Sequence, residues 1–544
     1  MNNLVGFVFL VPLVTAVLLM PFTARVEVQR RLSLISGIVL LGLIGWIVYL
    51  TVLGHILVLP LGNWAPWIGI VWVIDALSAI MLALTAITSF AMLLYASGSL
   101  RGYREAKYVY PLHQLLLVGV NGSFVTGDFF NLFVMFEIML LASFALISLG
   151  ARPRQLNQTF PYVLVNLVAS AVFLGGIGAV YGTAGTVNMA ELSRRIATGE
   201  LPPVFWAAIS LVLLVFAIKT ALVPVFFWLP DSYPEAPIPI AGFFAGLLTK
   251  VGVYTLFRSV PLITGTEYGR FHAVLLFIAA ATMLIGVLGA LGRNNIREIL
   301  SFHIVSQVGY MIFGLALYTP IAVAAGIFYI VHHIIVKSAL FFAGGIAERV
   351  GGSGTLGSVR GIAKTHPWVA VGFFIPAMAL AGLPPFSGFW GKFFLIVAGF
   401  QVEAWAATTI AIVVGLLTLA SMMKIWTYTF WGAPEGQREP AIGHDRGMLA
   451  GTLLLAGLSV GIGLFAAPLF AYSERAAAQL LAVTPYVDAV LNAGGMDASY
   501  IPPDVTVVPV VPGASEALPA GAAEIVHTRA LTHSGTGLPA EGEL

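Results

Sequence analysis

The sequence predicts an all-α polytopic membrane protein with about fourteen transmembrane helices. Hydrophobic residues make up 59% of the 544 residues and charged residues only 9%, a balance that excludes a soluble domain of this size. Apolar runs of about 20 residues recur along the chain, and each is long enough to cross a bilayer as a helix. No alternating apolar–polar pattern favours a membrane barrel instead. Cysteine is absent, which excludes disulfides, thiolate metal sites and iron–sulfur ligation.

The apolar segments are separated by short polar loops. The first segment has no basic region before it, so we interpret it as a retained helix rather than a signal peptide. The seventh contains Pro224 and the twelfth contains Pro384 and Pro385, so both are predicted to be broken helices. The predicted spans lie near residues 4–22, 32–53, 73–96, 108–126, 129–150, 160–182, 204–229, 238–260, 271–292, 298–317, 320–347, 368–400, 404–432 and 448–472.

The spacing of the lysines indicates an internal repeat. Lys219 and Lys392 are 173 residues apart in the sequence, and Lys250 and Lys424 are 174 residues apart. The two members of each pair lie five predicted helices apart. An odd offset inverts a helix in the membrane, so two inverted five-helix repeats are expected. The expected divisions are 1–107 for helices 1–3, 108–260 for the first repeat (helices 4–8), 271–432 for the second repeat (helices 9–13), 448–472 for helix 14, and 473–544 for an extracytoplasmic tail.

Basic residues indicate the orientation in the membrane. Most of them fall in the loops of one side, which the positive-inside rule places in the cytoplasm, with both termini outside. The basic residues of the predicted cytoplasmic side are Arg25, Arg30, Arg31, Arg101, Arg104, Lys107, Arg152, Arg154, Arg293, Arg297, Arg349, Arg360, Lys364, Arg438 and Arg446. The opposite side holds Arg194, Arg195, Arg258, Arg270, Arg475 and Arg529.

Several ionisable side chains interrupt apolar spans. Each costs several kcal/mol at membrane depth unless it is paired or faces a wet cavity, so together they predict a proton or ion path. Lysine suits such a path because burial can bring its proton release towards neutral pH, whereas arginine stays charged. These residues are Glu137, Lys219, Lys250, Lys337, Lys392 and Lys424.

Polar side chains accompany these charges at helical spacing, and aligned stripes of this kind can hold a file of water. Structural explanations stay open: a lysine near a helix end can snorkel to the interface, Glu137 can form a structural salt bridge, and histidines can bond to backbone carbonyls. The stripes are Tyr329 with His333 and Lys337, His303 with Ser306 and Tyr310, and Asn166 with Ser170.

Three motifs resemble a known superfamily. They are GVNGSFVTGDFFNLFVMFE at 119–137, KTALVPVFFWLPD at 219–231 with LTKVG at 248–252, and LPPFSGFWGK at 383–392. All three are similar to the antiporter-like subunits of respiratory complex I, membrane-bound hydrogenases and multisubunit Mrp sodium/proton antiporters. The segments GDFFNLFV at 127–134 and SERAAAQLL at 473–481 are most similar to the D-subunit family of Mrp antiporters. The resemblance covers residues 1 to about 495.

The resemblance implies roles for the buried charges. In the family, a fifth-helix glutamate pairs with the lysine of the broken seventh helix, which here are Glu137 and Lys219. Lys392 occupies the broken twelfth helix, a position that is a glutamate in some relatives. The implied proton pathway comprises Glu137, Lys219, Lys250, His332, His333, Lys337 and Lys392, with Lys424, His303, Ser306 and Tyr310 as further candidates.

The implied function is proton translocation in a multisubunit Na⁺/H⁺ antiporter of the bacterial cell membrane, beside the other Mrp antiporter subunits (A, B, C, E, F and G). No flavin, quinone or nucleotide motif is recognisable, so no cofactor, metal, nucleic acid or enzymatic activity is expected. One alternative is a proton-pumping component of a redox complex, which would be part of an enzyme. Another is a membrane-embedded hydrolase or transferase using His332 and His333, although no acidic metal ligand or paired nucleophile accompanies them.

Overall fold

A computed structural model describes residues 2–100, 106–199, 201–265, 269–435 and 446–494. In these ranges the chain is mostly helical, as the long apolar runs require. The only extended elements among them are a short antiparallel pair, β1 (Leu57–Pro60) and β2 (Val71–Ile74), between the second and third helices. The multi-pass helical membrane fold is therefore confirmed.

The first half of the chain contains ten helices in the described ranges. The longest ones correspond to the predicted spans, and two short helices, α7 and α9, lie between them. The helices are α1 (Leu4–Leu19), α2 (Val26–Val52), α3 (Ala76–Ser99), α4 (Ala106–Val125), α5 (Phe129–Ile147), α6 (Pro153–Ala184), α7 (Met189–Thr198), α8 (Pro203–Thr220), α9 (Trp228–Ser232) and α10 (Ile238–Thr264).

The described part of the second half again contains ten helices. α19 begins within the final predicted span, and α20 follows it. The helices are α11 (Arg270–Gly292), α12 (Ile296–Leu317), α13 (Pro320–Gly351), α14 (Ile362–Thr365), α15 (Pro367–Ala381), α16 (Ser387–Gln401), α17 (Trp405–Ile425, continued by a π turn to Phe430), α18 (Arg446–Leu464), α19 (Ala466–Ala482) and α20 (Thr484–Leu491).

Twelve helices in the described ranges are long and apolar enough to cross a membrane. Two predicted spans are not among these twelve, the one that contains α4 and the one that is interrupted between α15 and α16. The count of fourteen spans therefore stays a prediction. The inverted repeat and the domain divisions stay predictions too. The helices α10, α12 and α13 are almost entirely buried by their neighbours, whereas α1, α2, α6 and α18 expose wide apolar faces. The fold therefore has a shielded helical centre inside a lipid-facing ring.

Both predicted broken helices are interrupted. In the seventh span, α8 ends at Thr220 and the helix resumes at Trp228, whose indole donates to the Ile218 carbonyl over 3.0 Å. In the twelfth span, the helix stops at Ala381 and resumes at Ser387. Gly252 allows α10 to approach the first interruption, because a Cβ there would lie 2.9 Å from the Lys219 carbonyl carbon.

Two boundaries differ from the sequence-based expectation. Arg258, which we expected in a loop, lies inside α10, is buried, and forms an ion pair with Asp75 over 2.7 Å. The predicted span 238–260 already reached this residue, but it was counted with the loop arginines, because charge alone does not distinguish a paired arginine from a loop arginine. The last predicted span is also divided, since α18 ends at Leu464 and α19 packs against α13. Most of the 473–544 tail lies outside the described residues.

Candidate functional site

Four lysines from α8, α10, α13 and α16 form a row of cations inside the helical bundle. Lys250 and Lys337 have no exposed surface, and Lys219 and Lys392 expose only 5% and 6%. These lysines therefore do not snorkel to the membrane surface. A buried ammonium group is costly, so each must be held by nearby polar groups or lose its proton.

Glu137 and Lys219 contact the same helix, α6, rather than each other. The Lys219 ammonium donates to the side-chain and backbone oxygens of Asn166 over 3.2 and 3.4 Å. One turn later on α6, Ser170 donates to the Glu137 carboxylate, which is half-buried. Within the described ranges no ion pair joins Glu137 to Lys219, so the expected direct contact is not formed. The Asn166 and Ser170 stripe connects them.

A small cavity lies beside the Lys219 side chain. Its volume is about 10 Å³, close to the smallest volume that can hold one water molecule. It is lined by Asn166 and by residues of α10, among them Leu248 and Val251, which flank Lys250 along that helix. A single water here would give the Lys219 ammonium a polar contact in the direction of Lys250.

The central cations, Lys250 and Lys337, are both held by uncharged oxygens. Lys250 donates to the Ala245 carbonyl over 2.8 Å and to the Thr249 hydroxyl over 3.1 Å, and Lys337 donates to the Leu300 carbonyl over 3.3 Å. The charges of Lys250 and Lys337 act on each other and on His333. His333 is buried, and neither ring nitrogen has a hydrogen-bond partner among the described residues. Both ring nitrogens are therefore available to a further hydrogen-bond partner.

A hydrogen-bonded group of uncharged side chains continues the row between α12, α13 and α17. The Tyr329 hydroxyl donates to Gln307, whose amide lies 3.4 Å from the Thr418 hydroxyl. His303 pairs with the Ser421 hydroxyl over 2.9 Å. These groups can order water without adding charge, so they bridge the distance between Lys337 and the last lysine.

Lys392 is held by the end of the broken helix α15. Its ammonium donates to the carbonyls of Leu380 and Ala381 over 2.9 and 3.1 Å, and it lies 4.8 Å from the centre of the Tyr310 ring. The last carbonyls of a helix lack intrahelical partners and carry partial negative charge, so they stabilise a cation. Nearby, His332 shares a hydrogen bond of 2.8 Å with Ser387.

Of two further candidates, Lys424 lies apart from the row, whereas Ser306 accepts from the Gln307 amide over 3.4 Å. Lys424 is half-buried and donates to the Leu291 and Arg293 carbonyls at the end of α11. Ser306 donates to the Met283 carbonyl, a contact between α11 and α12. In the part of the chain that the structure describes, no group of three or more His, Asp, Glu or Cys side chains converges to hold a metal ion.

The family is decided by a match to a known sequence profile. Residues 126–418 match the family described as NADH:quinone oxidoreductase/Mrp antiporter, TM. The matched residues include all four lysines of the row. The chain belongs to the NADH:quinone oxidoreductase/Mrp antiporter family.

Members of this family with curated names or solved structures are similar over nearly the whole chain. The D subunit of the Na⁺/H⁺ antiporter of Alkalihalophilus pseudofirmus is 44% identical over 495 residues, which are 90% of this chain and 100% of that protein. A chain of the Mrp complex from Dietzia sp. is 36% identical with a TM-score of 0.83, over 90% of this chain and 99% of that one. A chain of an archaeal membrane-bound sulfane sulfur reductase is 26% identical, also with a TM-score of 0.83, over 90% and 100%.

Some polar members of the row were not found by sequence reasoning. Gln307, Ser387, Thr418 and Ser421 are neutral and isolated in apolar helices, so only their hydrogen bonds to candidate residues identify them. A weak signal exists for Gln307, which lies next to Ser306 in the predicted stripe of α12. Family membership does not by itself assign roles to these residues.

Proposed function

We propose that this chain is the proton-translocating subunit of a multisubunit monovalent cation (Na⁺)/H⁺ antiporter. It would move protons through Glu137, Lys219, Lys250, Lys337 and Lys392, together with His332, His333 and enclosed water. The observation that carries this proposal is the row of four buried lysines, each held by uncharged oxygens and connected by polar side chains. The serine–histidine pairs of this region, His303–Ser421 and His332–Ser387, have no exposed surface that a substrate could reach, so the row supports transport rather than bond-breaking chemistry.

Electrostatic coupling between neighbouring sites would drive the relay. Inside the bundle the dielectric is low, so a proton gained at Lys250 raises the energy of a second charge on Lys337. Water near His333 would carry the displaced proton. Each lysine must give up its proton to act, which lysine can do and arginine cannot. The charge of one site therefore sets the occupancy of the next.

Glu137 would act as the switch at one end of the row. Its charge acts on Lys219 although α6 separates the two side chains. When the Glu137 carboxylate is charged, it favours the charged form of Lys219. A change at Glu137 then releases a proton from Lys219 towards Lys250. Asn166 and Ser170 hold the two side chains in this arrangement.

The assembly follows from the relatives. The curated relative is named as the D subunit of a Na⁺/H⁺ antiporter, and the solved relative belongs to an Mrp complex. We infer that this chain assembles with the A, B, C, E, F and G subunits in a bacterial cell membrane. The distribution of arginine supports an orientation with both termini outside.

A component of a redox complex is the second candidate. The sulfane sulfur reductase chain has the same TM-score as the Mrp chain, so the fold fits both assemblies. The identity favours the antiporter, at 36% against 26%. Sodium-dependent proton exchange by the purified complex without an electron donor would separate the two.

The central test removes each end of the Glu137–Lys219 link. Glu137→Ala and Lys219→Ala should each abolish sodium/proton exchange, because either change removes the electrostatic influence of Glu137 on the charge of Lys219. The double variant should be no worse than either single variant. Glu137→Asp should keep part of the activity, since the charge remains. Exchange is measured in everted vesicles from cells that lack other sodium/proton exchangers.

Lys364→Ala is the matched control, because this lysine is exposed in the short helix α14. It should leave exchange unchanged. Assembly of the complex is checked for every variant. Near-normal exchange by assembled Glu137→Ala would contradict the relay and leave this chain as a scaffold for a pathway in another part of the complex.

A further inference from the structure

We propose that His113 passes protons between a cavity at the arginine-rich side of the protein and Lys250, along one face of α10. This inference rests on the proposed function and adds a branch that supplies the row of lysines from one membrane surface. His113 is outside the motifs that resemble the family and outside the row itself. Four points support its role in proton transfer. They are a cavity, a helix face, a set of unpartnered polar atoms, and the chemistry of imidazole.

The cavity opens where α3, α5, α6, α10, α12 and α13 end or begin. Its volume is about 320 Å³, enough for several water molecules. Arg297 and Glu348 line it and pair with each other over 2.6 Å. The second Glu348 carboxylate oxygen and the Ser99 hydroxyl are buried and have no hydrogen-bond partner within the described ranges. Such atoms are expected to bind water, so the cavity is a wet vestibule.

One face of α10 leads from this vestibule to Lys250. Pro239 lines the vestibule, and Phe243, Gly246 and Lys250 follow it at spacings of three or four residues, which places all four on the same face. The distance from Phe243 to Lys250 is two helical turns, about 10 Å. A proton crossing that distance needs polar groups or water between the two positions.

His113 lies against this face at the level of Phe243. It is 1% exposed, and its ring lies 4.8 Å from the Phe243 ring in an edge-on arrangement. Its Nε2 shares a hydrogen bond of 2.9 Å with the Ser89 hydroxyl on α3. Its Nδ1 is buried without a partner in the part of the chain that the structure describes. A histidine that served only to bind Ser89 would not need its second nitrogen buried in this way.

Two hydroxyl groups continue the line from His113 to Lys250. The Thr88 hydroxyl is buried and has no partner among the described residues. Ser338 on α13 donates to the Gly242 carbonyl over 2.9 Å. Both lie next to Gly246, where a Cβ would be 2.4 Å from the Ser338 oxygen and 3.6 Å from the Thr88 methyl group. A larger residue at Gly246 would collide with the Ser338 hydroxyl, so glycine leaves room for Ser338 and Thr88 beside α10.

Imidazole can perform the transfer and return to its starting state. A proton from a vestibule water binds one ring nitrogen, and the proton on the other nitrogen leaves through water and the hydroxyls to the neutral amine of Lys250. The ring is neutral again in its other tautomer, and Lys250 has become an ammonium. Exchange of the ring protons with water restores the first tautomer. No other reactant is needed.

The first test replaces His113 in the assembled complex. His113→Phe keeps an aromatic ring against Phe243 and removes both nitrogens, whereas His113→Gln keeps a group that can bond Ser89. Neither side chain titrates, so each should slow sodium/proton exchange about a hundredfold, the low end of what a positioned proton-transfer group contributes. His272→Gln is the control, because His272 is also buried but lies on α11 beside Tyr318. It should exchange normally.

Normal exchange by assembled His113→Gln would overturn the proposal, because it would show that the histidine serves only as a hydrogen-bond partner. The proposed function fails separately. If Glu137→Ala is inactive and His113→Gln is normal, only this branch is wrong. If Glu137→Ala exchanges normally, the relay itself is wrong.

The second test does not require active variants. The natural chain contains no cysteine, so single cysteines can be labelled against an unreactive background on this subunit. Ser99→Cys in the vestibule should react with a small charged thiol reagent added on the arginine-rich side. Thr452→Cys is the control, since Thr452 is buried between α15 and α18 and should not react. An unlabelled Ser99→Cys would overturn the route, because it would show that the vestibule is closed to water on that side.

Discussion

At the scale of single residues, the buried lysines are held by oxygens that carry no full charge. Asn166 holds Lys219, and the carbonyls of Leu380 and Ala381 hold Lys392. A carboxylate in the same place would fix each ammonium in its charged form. Neutral oxygens stabilise the cation less, so both protonation states stay accessible. In the proposed relay, this choice of partner would let a lysine gain and lose a proton.

Lys392 gives the prediction at this scale. Lys392→Ala should stop sodium/proton exchange while the complex still assembles, because the carbonyls of α15 would lose the cation that ends the row. Lys392→Glu should retain exchange with an altered pH dependence, since some relatives carry a glutamate there. Vesicle assays across a range of pH measure both. Undiminished exchange by Lys392→Ala would place the end of the pathway elsewhere, with Lys424 as the next candidate.

At the scale of helices, two aspartates begin α5 and α3 in different electrostatic surroundings. Asp128 accepts from the Asn131 backbone over 2.7 Å, but burial raises the pKa of its carboxyl to about 6. Asp75 accepts from the Ser78 backbone over 3.0 Å. Burial alone would raise the pKa of Asp75 too, but the Arg258 guanidinium holds it below its usual range. Both residues cap a helix, and only Asp75 has a cation beside it.

The two caps should therefore respond oppositely to the same change. The folded state binds the Asp128 proton more tightly than the unfolded state does, so stability falls as pH rises between about 4 and about 6. Asp128→Asn keeps the cap and removes a charge penalty of about 2–3 kcal/mol, so it should raise the melting temperature above about pH 6. Asp75→Asn should lower it, because Arg258 would be left unpaired at a cost of roughly 3–5 kcal/mol.

Thermal unfolding of the complex in detergent measures both changes. The gain for Asp128→Asn should disappear below about pH 4, where the carboxyl is protonated in both states. A gain of the same size at all pH values would show that the aspartate charge is not its cause. A stable Asp75→Asn variant would show that Arg258 finds another partner.

At the scale of the whole molecule, the sequence predicts where most helices lie better than it predicts which side chains touch. Hydropathy and prolines located the spans and both interruptions, because these depend on local composition. The contact of Lys219 with Asn166, in place of Glu137, depends on which faces of α5, α6 and α8 meet, and that is decided by packing. On its own helix His113 has only Tyr110 at helical spacing, so the contacts with Ser89 and Phe243 on neighbouring helices are what reveal it.

The C-terminal segment gives the last prediction. Residues after about 495 are rich in Pro, Ala and Gly and poor in aromatic side chains, a composition that does not favour a packed core. The similar D subunit of the Alkalihalophilus antiporter aligns over its whole length with 495 residues, 90% of this chain. The row of lysines ends at Lys392, and the supporting helices α18 and α19 are complete by Ala482. Truncation after residue 495 should therefore leave exchange in vesicles largely intact, with normal amounts of assembled complex. If the truncated chain is inserted but no longer recovered with other subunits, the segment is a docking element instead.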